Sequence, residues 1–211
     1  MWDQLNTFII HLNDVEEIPQ EFLHQFPQFN SGEVLLSLRE VNMVMVLDPD
    51  TGEIKWHHIA PWLQQHGADW QADGAITVFD NRFDLSGDGG VLGGSNVISI
   101  DPENSAAQVL YGGKKGQDFY TTTQGDHQIL GNGNILITES NAGRVIEVTS
   151  AGELVWEHVN RYSAGWRLRV EIFSYPWRIW RVGSMEIKSQ RSGLITQFLL
   201  RRFLALARLS R

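Results

Sequence analysis

With 211 residues, no cysteine and a formal net charge of −8, the chain is long enough for one ordinary domain with its own core, and disulfide and thiolate chemistry are excluded. The charge is split, because residues 1–160 hold 6 Lys and Arg against 23 Asp and Glu, while residues 161–211 hold 11 against 2. The acidic first part argues against nucleic acid as a partner, and no stretch reaches the roughly 18–20 apolar residues of a membrane-spanning helix.

In chain order, alternation and turn residues predict strands over 4–12, 34–47 and 54–59, then 75–80, 96–100 and 107–111, then 128–138, 144–149 and 153–158. Residues 18–31, with Pro19 and Pro27, read as a loop with one helical turn; 82–95 read as a Gly-rich loop and 112–126 as a polar one. No segment before residue 160 sustains a 3.6-residue period, so the class is all-β. Three copies of one phrase organise these strands. The first is Gly32-Glu-Val-Leu-Leu-Ser-Leu-Arg39, resuming at Val44 and ending in Trp56. The second starts at Asp73-Gly-Ala-Ile-Thr-Val-Phe-Asp-Asn81 and resumes at Asn96. The third starts at Asn132-Gly-Asn-Ile-Leu-Ile-Thr-Glu139 and ends in Trp156. A repeat of roughly 40 to 60 residues is the period of propeller blades, which must stack to cover their apolar faces. The expectation is a partial β-propeller of four-stranded antiparallel blades over 1–160, with Trp56 and Trp156 buried at matching places.

Residues 161–211 change character. Asp and Asn are absent after Asn160 and 17 of the 20 glycines precede it, although every tight turn of a blade asks for such residues. The tail is expected to stand outside the propeller, with a helix over 198–209. One reading makes it a basic arm for an acidic surface; the other makes it sequence foreign to the propeller, from a shifted frame or a truncated assembly. Asp3 without early Lys or Arg is not the start of a signal peptide. Compartment and oligomeric state stay unread.

The residues able to carry chemistry stand at loop and strand ends. His11 lies in Ile9-Ile-His-Leu-Asn-Asp14, Arg39 ends an apolar strand, and His66 and His127 each precede a Gly-turn by 8 and 6 residues, which puts both on one face of the wheel. Imidazoles and a guanidinium converging there would suit an anionic group. Each has a plainer reading, such as Arg39 pairing with Glu40, or a histidine capping a turn. Trp62 and Trp70 flank His66 and are candidates for touching an aromatic ligand. Asp84-Leu-Ser-Gly-Asp-Gly89 opens like a calcium loop, but Ser95 stands where a bidentate Glu is needed. No metal site or cofactor is expected.

Several of these segments, in this order, resemble the arylsulfotransferase family over about residues 7–162. They are Ile10-His-Leu-Asn-Asp14, Leu36-Ser-Leu-Arg39, Trp62-Leu-Gln-Gln-His66 with Phe79-Asp-Asn81, and Gln128–Glu139. The resemblance implies a six-bladed propeller that moves a sulfuryl group from a phenolic sulfate ester to a phenol through a sulfated histidine. His66 would be that nucleophile, with His11 and Arg39 holding sulfate oxygens or protonating the leaving phenolate. His127, Trp62 and Trp70 would line the substrate site. Small aryl sulfates and phenols would be the partners. Gly67 departs from the family, which often has Asp after this histidine. Two other readings stand beside it: a non-catalytic propeller binding module or inactive fragment, in which these side chains scatter, and a quinone-dependent dehydrogenase suggested by Asp48–Trp56.

Overall fold

The computed structural model describes residues 10–160. Within them twelve strands form three four-stranded antiparallel sheets, each a meander in sequence order. Blade one is β1 (Leu12–Glu17), β2 (Val34–Leu38), β3 (Met43–Leu47) and β4 (Ile54–Ile59). Blade two is β5 (His66–Trp70), β6 (Ile76–Asp80), β7 (Asn96–Ile100) and β8 (Ala107–Gly112). Blade three is β9 (Asp126–Ile129), β10 (Ile135–Glu139), β11 (Arg144–Val148) and β12 (Leu154–Val159). Strand β1 packs on β5, and β5 on β9. The first strands therefore gather along one line, the axis of a partial β-propeller.

Middle strands are apolar on both faces, and that builds the stack. In β6, Ile76 and Val78 face a core shared with Trp70 of the same blade and with Phe26, Val44, Val46 and Trp62 on the blade-one side. Phe79 of the same strand joins Phe119, Ile135, Ile137 and Ile146 on the blade-three side. A sheet covered on both faces reads as a continuous apolar run rather than an alternating one. The repeat also holds in detail. After the third strand of each blade the chain turns through a left-handed residue, Gly52 (φ 75°), Ser105 (φ 62°) or Gly152 (φ 84°). The fourth strand then carries a bulge opposite Val46–Leu47, Val97–Ile98 or Glu147–Val148. The Asp48–Trp56 phrase is this turn and bulged strand, with Asp48 accepting the Asp50 and Thr51 N–H groups.

Several expectations need correction. The first strand starts at Leu12, not at residue 4, and residues 4–9 lie outside the described residues. The 34–47 run is two strands, broken at Arg39–Val41 and by Asn42 with φ 52°. The 128–138 run is likewise two, β9 and β10, and β9 begins inside the expected 112–126 loop. Strand β5 was not expected at all. Trp56 and Trp156 do occupy matching places, each stacked on the histidine two residues on, at 6.2 Å with interplanar angles of 12° and 13°. Their burial differs. Trp56 packs against the first core, whereas Trp156 is 48% exposed, because among the described residues no blade covers β12. The expected tail, 161–211, and its helix over 198–209 lie outside the described residues.

Candidate functional site

One end of the propeller collects the residues just before each first strand and just after each second strand. His66 opens β5 there, next to Gly67, whose φ of 47° makes a bulge between the His66–Phe79 and Ala68–Val78 pairs. Strand β1 carries a similar bulge between Leu12 and Asp14. Bulges of this kind re-aim a side chain away from the regular pleat.

The protonation pattern of His66 follows from its neighbours. Asn81 is fully buried and its amide nitrogen donates to the Thr121 carbonyl at 2.9 Å and the Gln124 carbonyl at 2.6 Å. Carbonyls only accept, so the atom facing them is the nitrogen and Oδ1 is left to accept. Oδ1 lies 2.6 Å from His66 Nδ1, so Nδ1 carries the proton. The Nε2 lone pair then receives the Gln124 N–H at 3.3 Å, a long hydrogen bond. Burial pushes the imidazole pKa down to about 4, against the Asn81 hydrogen bond, and the nearby charges of Arg39 and His11 push the same way. His66 is thus a neutral base at ordinary pH.

His11, Arg39 and His66 are brought together. The Arg39 N–H donates to the His11 carbonyl at 3.0 Å. The Arg39 guanidinium donates to Gln64 Oε1 at 2.8 Å and pairs closely with Glu40, while its Nε is buried without a hydrogen-bond partner. His11 Nδ1 lies 3.7 Å from the same Glu40 carboxylate, and its side chain is half exposed. The pairing of Arg39 with Glu40 is therefore real, and it sits within the cluster. Asn81, Gln64, Gln124 and Glu40 complete this set. Of these, Asn81 was visible in the sequence only as the end of the Phe79-Asp-Asn81 phrase, with no role attached.

The remaining candidates lie elsewhere. Trp62 is fully buried, donating its indole N–H to the Asn42 carbonyl at 2.8 Å. Trp70 is packed edge-on against Phe26 and Phe29 at 4.8 and 5.4 Å. Neither offers a free ring face, so their place as ligand-touching residues gives way to core packing. His127 is also fully enclosed and lines no open surface; burial alone lowers its pKa to about 4. In the Asp84 loop both carboxylate oxygens face N–H donors, Ser86 on one and Val91 and Leu92 on the other. It is a loop closed on its own backbone, unlike a cation site.

Along the axis below His66 runs a line of carboxyls. Asp14 accepts the Ala68 N–H at 2.8 Å and Glu16 the Trp70 N–H at 3.1 Å, so β1 satisfies the free edge of β5. Burial raises the pKa of Glu16 and Asp126 to about 7, and Asp69 is raised as well, each helped by its acidic neighbours. Asp69 keeps 31% of its side chain open to water. A cleft of about 550 Å³ lies between residues 25–28 and the turns at 73–75 and 101–108; it contains none of the histidines and not Arg39.

A family model described as Arylsulfotransferase (ASST) matches residues 3–161. No curated protein matches the chain. Among solved structures, virginiamycin B lyase from Staphylococcus aureus is similar at 15% identity over 71% of this chain and 46% of that one, with TM-score 0.40. A streptogramin B lyase matches at 14% identity, 73% and 47% coverage and TM-score 0.43. A protein of unknown function from Bacteroides caccae matches at 18% identity, 61% and 42% coverage and TM-score 0.40. The chain spans about half the length of these structures.

Proposed function

The chain belongs to the arylsulfotransferase family, and from that premise we propose that it carries the nucleophile half of an aryl sulfotransferase site. The observation that supports this most is the preset state of His66: neutral, protonated at Nδ1 through its bond to Asn81, with the Nε2 lone pair met only by the long Gln124 N–H contact and the charges of Arg39 and His11 felt at the ring. In the proposed reaction Nε2 attacks the sulfur of a phenolic sulfate ester. The S–N bond forms as the bond from sulfur to the aryl oxygen breaks, and the phenolate leaves with a proton from His11. Arg39 holds sulfate oxygens, with Nε and the fork now shared with Glu40 and Gln64 as donors. A second phenol then gives its proton to His11 as its oxygen takes the sulfuryl group; the S–N bond breaks, and both His11 and His66 return to their starting states.

Convergence of His11, Arg39 and His66 favours this reading over a non-catalytic binding module. Residues 1–160 are proposed as the family part and 161–211 as a separate basic tail. The test is exchange between a chromogenic aryl sulfate and phenol, assayed with this chain and with a version extended to six blades. His66→Ala should abolish exchange, and Arg39→Lys should lose most of it, since an ammonium cannot replace a planar fork. Near-normal turnover in His66→Ala would overturn the proposal.

A further inference from the structure

Strands β5 and β9 bring Asp69, Asp126 and His127 together, with one ligand atom from each within 4.8 Å of the others. Three such atoms always leave some point within about 2.8 Å of all of them, close to the roughly 2.0–2.6 Å reach of a bound divalent cation. The other two axis carboxyls have structural work, since Asp14 and Glu16 accept N–H groups of β5. Asp69 accepts no hydrogen bond among the described residues, and Asp126 accepts only the N–H of adjacent His127, at 2.8 Å. No Lys or Arg of the described residues pairs with any of the four acids.

His127 supplies the independent pointer. Its side chain is completely buried, and neither ring nitrogen has a hydrogen-bond partner. The nearest ionic group to Nε2 is Asp69 Oδ2 at 3.8 Å, too far for a hydrogen bond. An imidazole with both nitrogens unsatisfied is costly to bury, and such groups call for a ligand. Gly67 keeps the approach clear, because a Cβ there would stand 2.9 Å from Asp126 Oδ1.

We propose that Asp69, Asp126 and His127 bind a divalent transition-metal cation, Zn²⁺ or Mn²⁺, which clamps blade two to blade three at the axis. One imidazole with two carboxylates selects such cations over Ca²⁺ and Mg²⁺, which prefer oxygen donors alone. The proposal stands apart from sulfuryl transfer and needs no activity to test.

The chelator-treated full chain is titrated calorimetrically with Zn²⁺, Mn²⁺, Ca²⁺ and Mg²⁺ separately, and thermal unfolding is followed with each. One equivalent of Zn²⁺ or Mn²⁺ should bind and raise the unfolding midpoint. Asp69→Asn and Asp126→Asn should each weaken binding at least about tenfold, and Co²⁺ should give a visible ligand-field band that both variants lose. Asp69, the partly exposed member, provides the substitution least disturbing to folding. Absence of binding, unchanged affinity in the folded Asp69→Asn protein, or binding of Ca²⁺ or Mg²⁺ alone overturns the proposal.

Discussion

Two histidines of neighbouring blades have the same depressed pKa, about 4, for the same leading reason, burial, yet they are held in opposite ways. His66, at the end of the propeller, has both ring nitrogens engaged and a tautomer dictated by Asn81. His127, on the axis, has neither engaged. Desolvation alone makes an imidazole neutral; only directed hydrogen bonds decide which nitrogen keeps its lone pair. The first arrangement suits a nucleophile that must aim one atom. The second suits a ligand that a cation would complete.

The comparison breaks most sharply at Asn81. Asn81→Leu removes the acceptor that fixes the tautomer and should lower sulfuryl exchange by roughly a hundredfold or more, by analogy with other wrong-tautomer variants. Steady-state exchange with a chromogenic aryl sulfate checks it, and a loss of less than a few-fold would show that the tautomer is irrelevant.

Leucine at the two histidines should act with opposite signs. His66→Leu leaves Asn81 Oδ1 unpartnered and should cost about 1–3 kcal/mol of stability at neutral pH. His127→Leu in chelator-treated protein removes an unsatisfied group and should be neutral or stabilising by up to about 1 kcal/mol. Urea unfolding of both variants measures the difference. Equal destabilisation would erase the distinction between the two sites.

The pH dependence sharpens the same point. A histidine whose folded pKa is depressed contributes stability above its unfolded value near 6.5, and that contribution is lost as pH falls through about 4. The buried carboxyls run the other way. Glu16 and Asp126, raised to about 7, favour the folded state less as pH climbs from the ordinary carboxyl range toward 7. Subtracting one unfolding series from another isolates the histidine. The stability gap between wild type and His66→Leu should be constant above about pH 6.5 and shrink toward pH 4. A gap independent of pH would mean that His66 is not held neutral.

The same kind of comparison can be made between the repeats. Trp56→Ala should destabilise by about 2–3 kcal/mol and Trp156→Ala by under about 1 kcal/mol, since the first packs on a core and the second is half exposed. Matched thermal or urea melts test this; equal losses would mean that β12 is covered in solution.

Much of the architecture was legible because blade turns need particular residues. Gly52 and Gly152 marked equivalent turns, and Trp56 and Trp156 marked equivalent strand positions. The first strands were not legible. His66-Gly-Ala-Asp-Trp70 and Asp126-His-Gln-Ile129 carry polar groups toward the axis and lack apolar alternation, so they looked like lead-in loops. The join within 34–47 was hidden for the opposite reason: apolar residues cover both faces, and the turn relies on Asn42 rather than Gly or Pro. At the site, residue types pointed to His66, His11 and Arg39, but only packing reveals Asn81 as the residue that orients His66. Trp62 and Trp70 flank His66 in sequence, yet alternation in β5 and the turn before it send both rings into the core.

The most direct measurement is a long-range ¹H–¹⁵N spectrum of the histidine rings in the ¹⁵N-labelled chain, followed across acid and neutral pH with His66→Leu to assign the signal. The account predicts that His66 is neutral at pH 7, carries its proton on Nδ1, and titrates near pH 4. A His66 ring protonated on Nε2, or one titrating at or above the ordinary histidine value of about 6.5, would contradict it.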